Sequence, residues 1–122
     1  ITDSDLGRLV VYSLKQDKSW LVQHSSMRAD LAGATFSFIN PPARLRIADN
    51  NINGIAVSPA VTGSKYIYYS PLTSLKMFRL EASAANSGNV ENVGDSVVEV
   101  GEKRSQTDGL AMDDKGNLYM QE

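Results

Sequence analysis

One short phrase occurs twice in this chain. Residues 53 to 59 read NGIAVSP and residues 108 to 114 read DGLAMDD, so the two copies begin 55 positions apart. Each copy is followed by a second run rich in apolar residues, KYIYYS after the first and NLYMQ after the second. Self-similarity at a fixed spacing indicates an architecture built from stacked supersecondary units. This repeat constrains the fold more than any other feature of the sequence.

Short β-branched and aromatic runs cover most of the chain. RLVVYSL (8–14) and SWLVQH (19–24) are separated by polar letters, a pattern that predicts a hairpin. From residue 53 the runs GIAVS, KYIYYS, KMFRLEA and SVVEVGE follow one another, bounded by Gly, Pro, Ser or Asn. The pattern then restarts with GLAMD and NLYMQ, joined by DKG, where Gly116 supplies the positive φ of a tight hairpin.

Two segments are less regular. Between residues 25 and 52, FSFI has the composition of a brief strand, but the prolines of NPPA remove two backbone donors. We therefore expect an excursion there rather than a ladder. The small and polar letters of EASAANSGNVENVGD, residues 81 to 95, are more typical of a mobile surface loop than of a helix.

Four short strands followed by a restart are typical of a β-propeller, which is built from four-stranded antiparallel blades. The predicted fold class is thus all-β. We expect the outer half of one blade at 1–24, the excursion at 25–52, a complete blade at 53–102 and the inner half of the next blade at 103–122. Repeat architectures usually need at least about 3 units for stability. We therefore expect further blades of the same protein, or companion chains, to complete the ring.

Composition excludes several classes of function. The chain has 12 basic and 14 acidic side chains, a formal net charge of −2, and no run of one sign. Nucleic acid and membrane surfaces are therefore not expected partners. No apolar stretch approaches the ~20 residues that span a bilayer, and the first residues lack the pattern of a signal peptide. The absence of cysteine excludes disulfides, thiolate zinc sites and a cysteine nucleophile within these residues.

Five phrases, in order, resemble the Yellow / major royal jelly protein family: ITDSDLGRLVVYSL, SW, INGIAVSP, YIYYSPLTS and VGEKRSQTDGLAMDDKGNLYM. The resemblance covers most of the chain, and the five phrases lie outside residues 25–45 and 81–95. The two repeated phrases are also similar to the more distant gluconolactonase and regucalcin family. Both resemblances imply a six-bladed propeller, of which this chain would supply about one third. The first also implies a secreted protein.

Asn53 and Asp108 open the two copies of the repeat. The first strand of each propeller blade lines the central channel, so we expect these two residues to be neighbours at the channel mouth. Carboxylate and amide oxygens suit a divalent cation such as Ca²⁺, which takes 6 to 8 of them. The resemblance to lactonases implies metal binding by Asn53 and Asp108, and a general-base role for Asp108. The lactonases' other ligands lie in blades outside this chain. Alternatively, both are turn residues, since Asn-Gly and Asp-Gly are common in tight turns.

Five aromatic or imidazole side chains are assigned to packing. His24 is the only histidine in the chain, so no second histidine can share a metal or base with it, and we expect a structural role. Trp20 is expected to pack between blades. Strand alternation places Tyr66 and Tyr68 on one face of a strand and Tyr69 on the other.

Serine hydrolase chemistry has no support in the sequence. Ser13, Ser58 and Ser70 lack both a strand-turn-helix elbow and a histidine partner. Lys103 and Arg104, in the loop that enters the second copy of the repeat, are expected to be solvated. The alternative for this pair is a cation held over an anionic ligand.

Three hypotheses for function remain open. The first is a channel that binds a small molecule of the biogenic-amine type, with Asp108 paired to the ammonium. The second is a divalent-metal-dependent enzyme, either a lactonase-like hydrolase or the dopachrome-converting isomerase that the resemblance implies. The third is a structural or nutritive secreted protein without activity. Retention of Asn53 and Asp108 favours the first two.

Overall fold

The computed structural model describes residues 1–38, 42–46, 48–60, 62–91 and 93–121. These residues fold mainly into antiparallel β-sheets with little helix, as the repeat predicts. The strands in chain order are β1 (Thr2–Asp3), β2 (Arg8–Ser13), β3 (Lys18–Gln23), β4 (Thr35–Phe38), β5 (Ala43–Arg46), β6 (Ile52–Val57), β7 (Tyr66–Pro71), β8 (Lys76–Glu81), β9 (Val98–Glu102), β10 (Leu110–Met112) and β11 (Leu118–Met120).

The first sheet has the order β1-β2-β3. β2 and β3 pair antiparallel, from Arg8 opposite Gln23 to Ser13 opposite Lys18, which confirms the predicted hairpin. The turn between them contains Asp17, whose φ of 49° lies in the left-handed region that Asp adopts more readily than most residues.

The middle sheet has the order β6-β7-β8-β9, with each strand antiparallel to the next. All four strands follow one another in the sequence, and the sheet spans residues 52 to 102. This is the arrangement of a propeller blade. The finer division of the chain into blades and partial blades stays a prediction.

The hydrophobic core lies between the first and the middle sheet. On the middle sheet Tyr69 is fully buried and stacks on Phe78, with ring centroids 5.8 Å apart. Their strands pair so that Ile67 and Leu80 share the same face. That face meets Leu9 and Val22 of the first sheet in one buried cluster. The predicted alternation is confirmed, because Tyr66 lies on the opposite face, under the guanidinium of Arg79.

The prediction that residues 25 to 52 contain no ladder is wrong. β4 and β5 form an antiparallel pair, from Thr35 opposite Arg46 to Phe38 opposite Ala43. The NPPA segment, residues 40–43, lies partly outside the described residues. The prolines at 41 and 42 fall between the two strands and not within them, so the ladder loses none of its donors.

The prediction of a loop without helix at 81–95 is also wrong. A short helix, α1 (Ala82–Asn86), follows β8, and a 3₁₀ helix spans Val93–Ser96. Ala85 is buried, and its carbonyl oxygen accepts a hydrogen bond from Trp20 Nε1 at 2.8 Å. Trp20 thus packs between the first sheet and the outer part of the middle one, as expected. Within the described ranges, no helix has the length and apolar character needed to cross a bilayer.

The loops at one end of the sheets are held by two polar side chains, the half-buried Asn51 and the buried Thr73. Asn51 accepts a hydrogen bond from Ala29 N and donates to the carbonyl oxygens of Ser4 and Asp5. Thr73 is fully buried; its Oγ1 donates to Ala48 O at 2.6 Å and accepts from the backbone N–H of Asn50. These bonds connect the first sheet, the excursion and the β7–β8 turn.

β10 and β11 form the second copy of the first hairpin in the repeat, as predicted. Gly116 has φ of 86° in the turn between them. Asp113 closes this turn because its carboxylate accepts hydrogen bonds from Asn117 and from the hydroxyl of Tyr119. The hydrogen bonds from Asn117 are the main reason that the pKa of the Asp113 carboxyl lies below its usual range.

Candidate functional site at the inner strands

The two copies of the repeat touch each other where each begins. β6 and β10 lie side by side, and Gly54 faces the backbone of Asp108. A Cβ atom at Gly54 would lie 2.5 Å from Asp108 O and 2.8 Å from Leu110 Cγ, closer than real Cβ atoms come to other atoms. Only glycine therefore allows this approach. The glycine of the first phrase has a packing role that a turn assignment does not explain.

Asn53 lies at an irregularity in its strand. Ile52 pairs with Pro71, and Gly54 pairs with the next residue, Ser70, so Asn53 is an extra residue opposite a continuous partner strand. Such bulges re-aim side chains and occur often beside active sites. The Asn53 carbonyl oxygen accepts a hydrogen bond from Thr2 Oγ1 at 3.1 Å, which links the bulge to the first sheet.

Asp108 is exposed, and the residue before it is anchored. Thr107 is buried, and its Oγ1 donates to Gln121 O at 3.0 Å. In the described part of the chain, Asp108 forms no ion pair, and its side chain forms no hydrogen bond with Asn53. The fold therefore brings the two segments together through their backbones and leaves the Asp108 side chain accessible.

The predicted metal site consists of two oxygen-bearing side chains, those of Asn53 and Asp108. Among the described residues no group of three or more His, Cys, Asp or Glu side chains is placed to hold a metal ion. Ca²⁺ takes 6 to 8 oxygen ligands. Asn53 and Asp108 alone do not complete such a shell, and the metal role of this pair stays a prediction.

We expected the side chains of Lys103 and Arg104 to be solvated, and this is wrong for Lys103. Lys103 is only 6% exposed, whereas Arg104 is exposed. The Lys103 backbone N–H donates to Leu75 O at 2.6 Å, which draws the residue under the β7–β8 turn. Among the described atoms its Nζ has no hydrogen-bond partner, and burial lowers the pKa of this amine to about 8.

Sequence reasoning did not anticipate a polar chain at the edge of the core. His24 Nδ1 lies 2.8 Å from Ser26 Oγ and accepts the Ser26 backbone N–H, so His24 caps the 3₁₀ helix Ser25–Met27. Ser26 Oγ lies 2.6 Å from the hydroxyl of the buried Tyr69. Burial raises the pKa of Tyr69 to about 12, which keeps it protonated. The structural role predicted for His24 is confirmed.

The serines named from the sequence make local hydrogen bonds. Ser58 Oγ accepts the backbone N–H of Tyr66, and Ser70 Oγ donates to Lys76 O. Ser13 Oγ accepts the backbone N–H of Gln16. These bonds are local, and each one ties a turn or strand end to its own neighbourhood.

A four-stranded antiparallel sheet, whose first strand contacts both a three-stranded and a two-stranded antiparallel sheet, is typical of a β-propeller protein. The family model described as Major royal jelly protein matches residues 1–122. The chain belongs to this family. A search of the curated proteins finds no match.

Proposed function

We propose that this chain contributes to a central-channel site that binds a small organic amine. One observation carries the proposal: Asp108 is exposed directly beside the inner strand that carries Asn53, at the point where Gly54 lets the two backbones touch. A carboxylate without an ion-pair partner among the described residues is suited to a ligand's ammonium group.

Asn53 adds a second polar group to this site. Its half-buried amide, at a bulge beside Asp108, offers an acceptor oxygen and two donors to a ligand's hydroxyl or amine. Charge-assisted hydrogen bonds are the stronger ones, so Asp108 would supply most of the affinity and Asn53 the orientation. The rest of the lining would come from further blades, which stay part of the proposal.

Calorimetry on the full-length protein tests this function with tyramine and with tyrosol, which carries a hydroxyl in place of the amine. We expect tyramine to bind and Asp108→Asn to weaken it about tenfold, because the variant keeps the shape and loses the charge. Tyrosol should bind more weakly and be insensitive to the variant. Asp114→Asn, the same change at an exposed position in the β10–β11 turn, is the control.

The same variants separate the other hypotheses. Equal tyramine binding by wild type and Asp108→Asn would contradict the amine site. Ca²⁺-dependent turnover of a lactone or of dopachrome that is lost in Asp108→Asn would instead support the enzyme. Neither binding nor turnover would support a structural or nutritive role. Members of this family are generally secreted, and we propose the same for this protein.

A further inference from the structure

A second cleft lies at the edge of the core that the first and the middle sheet share. It has a volume of about 470 Å³, and two parts of the chain line it. One is the segment that follows β3, residues 24–31, and the other is the β7–β8 turn with the adjoining residues of β8 and β9. Asn53 and Asp108 do not line the cleft, so it is separate from the proposed amine site.

Further blades would not cover this cleft. Phe78 packs against the buried cluster between the two sheets, and strand alternation puts Lys76 on the same face of β8. The next blade would pack on the opposite face of the middle sheet, where Arg79 lies over the Tyr66 ring. Both walls of the cleft therefore come from neighbouring elements within the described chain.

The charged side chains that line the cleft balance one another. Arg28 and Lys76 are cationic. Asp30 and Glu99 are anionic. Lys76 Nζ lies 3.7 Å from Glu99 Oε2, and these side chains are 42% and 47% exposed, so the pair is weak and both groups remain accessible. Arg28 is exposed and forms no ion pair with any described residue.

Two half-buried side chains of the cleft are held through one atom each and have a second atom available. Asp30 Oδ1 accepts the backbone N–H of Ala32 at 3.1 Å, and Oδ2 has no partner among the described atoms. His24 Nδ1 accepts the Ser26 backbone N–H, so the neutral imidazole carries its proton on Nε2. This nitrogen is not among the buried unpartnered atoms of the described residues, so it keeps surface from which it can donate.

We propose that this cleft binds a carbohydrate. Each sugar hydroxyl both donates and accepts hydrogen bonds, so a neutral polyol uses cationic donors and carboxylate acceptors together. A ligand with a net charge would gain from one pair of charged side chains and lose to the other. Phe78, fixed by stacking on Tyr69, offers apolar surface to the C–H groups of a pyranose ring. The volume lies within the range of about 300–1,000 Å³ that is typical of small-molecule sites.

The test is a ligand-detected NMR titration of the full-length protein with methyl β-glucoside. Two comparison probes share its six-membered ring: cyclohexanol has a single hydroxyl, and methyl β-glucuronide carries a carboxylate. We expect the glucoside to bind at least about tenfold more tightly than cyclohexanol, and the glucuronide to bind no better than the glucoside. Tyramine should not compete with the glucoside, because the two sites share no residue.

Two exposed side chains of opposite charge provide the variants. Arg28→Ala and Glu99→Ala should each weaken glucoside binding about three- to tenfold, since each removes charge-assisted hydrogen bonds. Their effects on the glucuronide should diverge. Glu99→Ala leaves the lining positive and should raise the affinity for glucuronide relative to glucoside, whereas Arg28→Ala should lower it. Lys15→Ala and Asp114→Ala, exposed charges outside the cleft, should change neither affinity.

Neither variant removes a described bond other than the weak pair of Glu99 with Lys76, so we expect both to fold. Equal binding of glucoside and cyclohexanol would overturn the proposal and indicate an apolar groove. Tighter binding of the glucuronide by wild type would overturn it in favour of an anion site. Undiminished glucoside affinity in both variants, competition by tyramine, or absence of glucoside binding at tens of millimolar would also overturn it.

Discussion

The carbonyl oxygen of Asp108 lies 2.5 Å from the point where a side chain on Gly54 would begin. This contact joins the two copies of the repeated phrase through their backbones. It explains why the first copy needs a glycine although its φ is not in the left-handed region. The contact also makes the proposed amine site depend on how closely β6 and β10 approach.

Gly54→Ala is expected to push β10 away from β6. The added methyl group meets backbone on one side and Leu110 on the other, so we expect a loss of about 1–3 kcal/mol in the free energy of unfolding. Gly109→Ala is the matched control, because a Cβ there meets nothing within 4 Å. Urea unfolding of both variants measures the difference. Equal stability of the two would show that the strands separate at no cost.

Tyr69→Phe removes the hydroxyl that reaches Ser26. The ring still stacks on Phe78, but Ser26 Oγ loses its buried partner, so we expect about 1 kcal/mol of destabilisation. The exposed Tyr12 bonds Asp17 through its own hydroxyl, and Tyr12→Phe should cost less than about 0.5 kcal/mol. Denaturant midpoints report both values. A larger effect at Tyr12 would contradict this assignment of the buried bond.

Thr73→Val keeps the side-chain shape and removes the hydroxyl that joins the β7–β8 turn to residues 48–50. Ala48 O then loses a 2.6 Å hydrogen bond and the Asn50 backbone N–H loses its bond to the Thr73 hydroxyl, so we expect a loss of about 1 kcal/mol in the free energy of unfolding. Thr35→Val on the exposed edge of β4 should be nearly neutral. Thermal unfolding and hydrogen exchange of the Asn50 amide test this prediction. Unchanged protection of that amide would argue against Thr73 as the anchor of the loop.

Lys103 is expected to make stability depend on pH. Its pKa in the folded chain is about 8, against 10.5 for an ordinary lysine, because burial disfavours the charged amine. Between these values the unfolded chain binds the extra proton, so the free energy of unfolding should rise as pH rises from about 8 to about 10.5. Lys103→Met should flatten this rise and be more stable than wild type at pH 7.

The exposed Lys15 provides the control for this titration, and Lys15→Met should leave the pH dependence as it is in wild type. Chemical denaturation at pH 7, 8, 9 and 10 gives the four points needed. A curve for Lys103→Met that rises as steeply as that of wild type would assign the effect to another group.

The strands of the β2–β3 hairpin and of the middle sheet were predictable from sequence, because each of them follows a local pattern. The alternation at Tyr66, Tyr68 and Tyr69 assigned faces correctly, since a strand turns its side chains with a period of two whatever lies around it. The β4–β5 ladder contradicts the prediction, which counted the two donors lost at the prolines of NPPA against a ladder between residues 25 and 52. Their position between the strands is decided by pairing, which no single window of sequence reports.

The helix α1 and the position of Lys103 depend on distant contacts. The alanines at 82, 84 and 85 favour helix, but the bond from Trp20, 65 residues away, is what ties this turn to the first sheet. The polar neighbours of Lys103 favour a solvated side chain, whereas its backbone is bonded to Leu75 in the β7–β8 turn and its side chain is buried. The packing of the Arg79 guanidinium on the Tyr66 ring was not predicted, although both residues lie in runs that the sequence assigns to consecutive strands.

The two faces of the middle sheet can therefore follow separate evolutionary courses. On one face Tyr69 and Leu80 are locked into packing that any change of volume disturbs. On the other, the Arg79 guanidinium packs on the Tyr66 ring, and a change of side chain there does not displace the buried cluster. Substitutions can thus accumulate on the second face while the interlocked side chains of the first keep the scaffold intact.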